Sequence, residues 1–298
     1  MPWVFFALTA TFAWALANIL DKVLRTKYLK DSIALTASFG LYSTILSFIL
    51  LLFIGIPSIP ILHSAAAFTA GVLLVLGFIL YLKALSIEEA SRVIPLWHLS
   101  PIFTLILAVI FLNEILTPLK YAAFASICLG GILISTRKSG NTFHLSPAIS
   151  LMLLSSLFVA VSDVLIKFAY TTGIFWQTFF MVYFGGSIGS LALFIFPNAR
   201  KNVLRAFISY KHIIALILLL DVLLGLSGQV FFNKAISLGP VTLVSVFISF
   251  QSLFVLLIAA FLSAKFPLFI KEAIDAKTIG TKLLAIILMA FGLYLLVM

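Results

Sequence analysis

The hydrophobic positions of this chain follow neither the alternation of a half-buried strand nor the stripe of a soluble amphipathic helix; they run unbroken. Apolar stretches cover residues 3 to 20, 33 to 56, 65 to 86, 92 to 112, 117 to 136, 146 to 167, 175 to 196, 211 to 232, 240 to 262 and 280 to 297. A helix needs about 20 such residues to cross a hydrocarbon core. The pattern predicts an all-α membrane protein of ten transmembrane helices. The first stretch has no basic start and ends in Asp21 and Lys22, so it reads as a span rather than a leader.

The pattern also repeats. Sliding the chain so that Gly77 falls on Gly228 sets Lys83, Ala84 and Ser86 on Lys234, Ala235 and Ser237; an upstream match sets Asn18 and Lys22 on Asp163 and Lys167. Two five-helix repeats follow, residues 1–145 and 146–298. Five is odd, so the second repeat enters the membrane upside down relative to the first, the inverted-repeat plan of secondary transporters.

Composition agrees with the pattern: 63% of residues are hydrophobic, 9% are charged, and the mean hydropathy is +1.27. That leaves too little polar surface to coat a soluble globule. The net charge of +10 would point to nucleic acid in a soluble protein. Here the basic residues sit at span ends and in short loops, where anionic headgroups and topology account for them, and no nucleic-acid partner is expected. Of the 19 Lys and Arg, only Lys120, Lys167 and Lys234 fall after even-numbered spans. Because cytoplasmic loops are the basic ones, both termini are expected outside the cell membrane. The single cysteine, Cys128, excludes an intrachain disulfide and a cysteine metal cluster.

Candidate chemistry lies where polar groups interrupt the apolar runs. Asp221 stands about ten residues from either end of span 8, where a carboxylate costs about 3 kcal/mol to insert and requires a partner, a proton or water. A carboxylate deprived of water takes up a proton more readily, which favours a proton-carrying role. Asp163 shares a helix face with Lys167, either as a self-neutralising pair or as a second cavity-facing carboxylate. Asn18 lies deep in span 1. Span 4 carries Pro95, Trp97, His98, Ser100 and Pro101 together, and two prolines free carbonyls that only protein or water can satisfy at depth. Span 9 sets Ser249 opposite His98 and Gln251 opposite Ser100. Span 2 is uniformly apolar and reads as lipid-facing. Gly185 and Gly189 form a GxxxG packing signal toward another span or another subunit. Glu114 and the Glu88–Glu89 pair read as interfacial and loop charges, and residues 265 to 277 as a short interfacial helix.

The turn YLKALSIEEAS, the following LSPIFTLILAVIFLNEILT, the close LGGILIS and the second copy FNKAISLGPVTLVS resemble the EamA-type ten-helix members of the drug/metabolite transporter superfamily. The resemblance spans essentially the whole chain, although Ser263, Ala264 and Lys265 replace the Asn113–Glu114 motif in the second copy. It implies alternating access and a cavity enclosed by spans 1, 3, 4, 6, 8 and 9. Transferred to this chain, substrate-binding positions are Asn18, Tyr81, His98, Ser100, Ser249 and Gln251, with Asp221 and Asp163 as proton-coupling groups.

The expected function is secondary active transport of amino acids or related amphipathic solutes, coupled to protons, by a monomer or homodimer embedded in membrane lipid. A multidrug or organic-cation exporter and a lipid-linked substrate flippase are the alternatives. No nucleotide-binding loop, HExxH or glycine-flanked intramembrane aspartate is present, so neither an enzyme nor a cofactor or metal is expected.

Overall fold

The computed structural model describes residues 1–87, 96–97, 99–135, 147–265 and 276–297. Among these, every regular element is helical: α1 (Pro2–Val23), α2 (Ser32–Ile54), α3 (Ile61–Ile87), α4 (Leu99–Leu112), α5 (Pro118–Ser135), α6 (Pro147–Ala169), α7 (Phe175–Ala192), α8 (Pro197–Leu238), α9 (Val241–Val246), α10 (Ser249–Lys265) and α11 (Ala276–Val297). His98, Pro95, Glu88, Glu89 and most of the expected interfacial helix lie outside the described residues.

Among the described residues, six helical stretches are long and apolar enough to cross a membrane: Pro2–Asp21, Ser32–Ile54, Ile61–Ala84, Ala148–Thr172, Phe175–Ile195 and His212–Leu238. Four shorter apolar helices accompany them, Leu99–Leu112, Pro118–Leu133, Val241–Val255 and Leu283–Leu296. The outer surface is apolar: Leu52, Phe53, Ile56 and Ile61 are 85–88% exposed, whereas Asp163, Asp221, Asn233 and many serines and threonines are buried. That arrangement reverses the soluble pattern and suits lipid. The chain is a multi-pass membrane protein.

Helix ends are set by local chemistry. Proline opens α1 and α8, where its missing N–H costs nothing. Asp31 caps α2, its carboxylate accepting from Ile33 N–H at 3.0 Å. Beyond α1 the chain widens into one π-helical turn, Leu24–Tyr28, in which Leu29 N–H returns to the Leu24 carbonyl at 2.8 Å. The basic stretch 197–211, which hydropathy separates from span 8 as a loop, instead continues it. At 1.5 Å per residue, the 42 residues of α8 reach about 63 Å, twice a hydrocarbon core. Ala199, Val203 and Ala206 on this extension are buried with Leu24, Leu29 and Leu35, so a small-residue stripe rather than hydropathy holds it.

The helices α1–α5 pack chiefly on α6–α11. α1 lies on α8 and α3 on α6; α2 lies on α7 and α5 on α11; α3 also meets α7, as α2 meets α8; α4 lies on α6, as α1 lies on α10. Glycines make the closest approaches possible. A Cβ on Gly71 would strike the Val182 carbonyl and one on Gly185 the Phe68 carbonyl. Gly189 faces Val72 and Val75, so the GxxxG signal of α7 is spent on α3 within the same chain. Gly77 sits against Val159 of α6, and Gly228 against Trp14 of α1. The two registers read from the sequence carry Gly77 onto Gly228 and Trp14 onto Val159, so one contact occurs twice.

Candidate functional site

A cavity of about 370 Å³ lies between the two sets of helices. Its walls come from α1 (Trp14, Asn18, Asp21), α2 (Thr36, Phe39, Ser43), α3 (Gly71, Leu74, Phe78), Trp97, α6 (Val159, Asp163, Ile166), α7 (Phe179, Tyr183, Ser187) and α8 (Asp221, Gly225, Gln229, Phe232). Ile248 and Gln251 complete it. Span 2 is therefore not simply lipid-facing. Thr36, Gly40, Ser43 and Ser47 recur at helical spacing on one of its faces. Ser47 Oγ is 3.1 Å from Ser187 Oγ, and Gly40 admits the backbone of Ser190 and Leu191.

Asp221 is 5% exposed, and its carboxyl is in hydrogen-bond contact with that of Asp21 on α1. Asp221 Oδ1 is buried without a hydrogen-bond partner. Asp163 is 1% exposed; its Oδ2 lies 3.4 Å from Thr104 Oγ1 of α4, and its Oδ1 is likewise buried without a partner. The Thr104 hydroxyl also lies 3.0 Å from the Ser100 carbonyl, and one hydroxyl has only one proton to give.

Lys167, four residues beyond Asp163, turns elsewhere. Its Nζ donates to the carbonyls of Ile236 at 2.8 Å and Gly239 at 2.7 Å, closing the C-terminus of α8. Glu114 answers it across the same corner, its two carboxylate oxygens accepting from Val241 N–H and Thr242 N–H, each at 2.9 Å, at the start of α9. Glu114 is thus a cap for a helix of the other half rather than an interfacial charge. Asn113, at φ 51°, turns the chain out of α4 and delivers it. Past this corner the span changes pitch: α9 and α10 are joined by a tightened turn whose hydrogen bonds reach back three residues, Phe247 N–H to Val244 O at 3.1 Å and Ile248 N–H to Ser245 O at 3.2 Å. The tightened turn is buried, and Ile248 and Gln251 carry it to the cavity wall.

Of the sequence-derived positions, Asn18, Asp163, Asp221 and Gln251 meet at one cavity. Tyr81 stands behind it, edge-on to Trp97 at 4.7 Å and 70°. Ser100 and Ser249 are fully buried and off the lining, Ser100 with its Oγ unpartnered. His98 lies outside the described residues. Sequence reasoning missed Asp21 because it stands where hydropathy ends span 1; the π turn and the extension of α8 carry the wall past that point. Trp14 also went unnoticed as a wall residue: its Nε1 donates to the Gly225 carbonyl at 3.4 Å and its ring lies 5.1 Å from Phe232 on the cavity wall. Among the described residues, no group of three His, Cys, Asp or Glu is placed to hold a metal.

The model of the EamA-like transporter family matches residues 1–136. Over these residues, somewhat less than half of the chain, the sequence is similar to that family. That family is part of the drug/metabolite transporter superfamily, and its members are membrane transporters. A search of curated proteins gave no match. One solved crystal structure superposes with a TM-score of 0.69, covering 99% of this chain and 96% of its own at 15% identity, a likeness of fold. The tightened turn between α9 and α10 and the carboxyl-bearing cavity are the features on which a functional reading rests.

Proposed function

We propose that this protein is a secondary active transporter that moves small amphipathic solutes by alternating access, coupled to protons through Asp221 with Asp21, and through Asp163. The observation that carries the reading is the cavity itself: apolar and aromatic walls drawn from both halves, with three carboxyl groups opening onto it. An exchangeable proton in the Asp21–Asp221 contact is what coupling requires. The four shorter apolar helices join the six long ones as ten spans in two inverted repeats. The helix pairing supports this: exchanging the halves converts α1 on α8 into α6 on α3, and α4 on α6 into α10 on α1. The recurrence of the Gly77–Val159 contact as Gly228–Trp14 supports it too.

Alternation has a visible counterpart at the two ends of the bundle. The cavity reaches Asp21 and Thr36 beside the basic α1–α2 connection, whereas the α8–α9 corner is packed solid, with Trp3 on Phe247 at 5.6 Å and against Gly239. With the basic loops cytoplasmic, this is an inward-facing form.

Organic cations form the second reading, and one observation favours them over zwitterionic amino acids. The described lining residues include three aspartates and no Lys, Arg or His. An ammonium among Trp14, Trp97, Phe179 and Phe232 gains from both carboxylate and ring faces. Counterflow in liposomes, with labelled amino acids, amines and a fluorescent lipid, tests the reading. Exchange of any small solute supports a carrier; lipid scrambling without solute exchange replaces it with a flippase.

A further inference from the structure

Two acidic loci open onto this cavity from different walls. Asp221, with Asp21, belongs to the α1–α8 wall; Asp163 belongs to the wall where α6 meets α4. Each locus carries a buried oxygen, Asp221 Oδ1 or Asp163 Oδ1, without a hydrogen-bond partner among the described residues. Both side chains are more than nine-tenths buried. A buried acceptor without a partner is a vacancy for a donor, and an ammonium brings three donors and a compensating charge.

One cationic end fills only one of the two vacancies. A zwitterion would bring a carboxylate to a lining that, among the described residues, has no basic side chain to receive it. Gly71, Leu74, Val75, Ile166, Val222 and Leu226 also line the cavity, and these suit methylene groups. We infer that the preferred substrate is a linear aliphatic diamine or polyamine, one ammonium at Asp221 and the other at Asp163. The inference rests on the carrier reading and narrows its substrate class.

The test is binding to the purified full chain in nanodiscs, followed by counterflow, using straight-chain diamines of increasing length against monoamines of equal carbon count. The expected result is a diamine preference of about tenfold or more with an optimum chain length. Asp163→Asn lowers diamine affinity about tenfold more than monoamine affinity, and Asp163→Glu, which keeps the charge, retains the preference. A monoamine that binds as tightly as its diamine, absence of amine binding, or a preference that survives Asp163→Asn in folded protein would overturn the inference. Exchange of monoamines without diamine preference sinks the inference and leaves the carrier standing. Tight diamine binding without exchange sinks the carrier and leaves the two-ended site.

Discussion

Asp21 and Asp221 face each other across the α1–α8 contact, and on the proposed reading they act as one proton-carrying unit. Asp21→Asn and Asp221→Asn are each expected to abolish proton-driven accumulation, and the double variant to be no worse than either alone. Uptake driven by a pH gradient in liposomes measures both, and additive losses would separate the two residues. Gly228 makes a second residue-scale prediction. Gly228→Ala drives a methyl group into the Trp14 ring, which narrows the cavity at Phe232, so transport falls while the helices remain. Full activity in that variant would remove Trp14 from the wall. Asp163, Asp221, Asn18 and Gln251 were legible in the sequence because a polar side chain inside an apolar run must find company. Asp21 and Tyr183 were not: one sits at a hydropathy boundary, and the other reads as an ordinary aromatic.

At the scale of elements, the α8–α9 corner is held by groups from two other helices, Lys167 on the last carbonyls of α8 and Glu114 on the first N–H groups of α9. Removing a side-chain cap costs about 0.5–2 kcal/mol, and a carboxylate on two N–H groups belongs at the upper end. Glu114→Ala should therefore lower the thermal unfolding midpoint in detergent, with Glu114→Gln intermediate because one acceptor survives. Equal midpoints for all three proteins would make the contact incidental. Glu114 has no counterpart in the second copy of the sequence, where Lys265 takes that place. Spans 2 and 8 show where hydropathy alone misleads. It averages over the stripe of small polar residues that turns one face of α2 inward, and it ends α8 where the charges start, although Ala199, Val203 and Ala206 keep the helix packed.

Across the whole molecule, the principal helix contacts run between the halves rather than within them. A half made alone leaves its packing faces exposed to lipid, without the glycine-lined approaches of α3 on α7 and α5 on α11. Residues 1–145 alone should yield no cavity and no binding, while coexpression with residues 146–298 should restore both. An active single half would refute the interlocked architecture. The basic-loop asymmetry predicts both termini outside, which protease-accessible tags on intact cells can test. Most directly, the account rests on a carboxyl-lined cavity that couples protons to a solute. The deciding measurement is uptake of a labelled amine into liposomes under an imposed pH gradient, comparing the intact protein with Asp221→Asn. The account predicts gradient-driven accumulation by the intact protein and none by the variant. Equal, pH-responsive accumulation by both would contradict it.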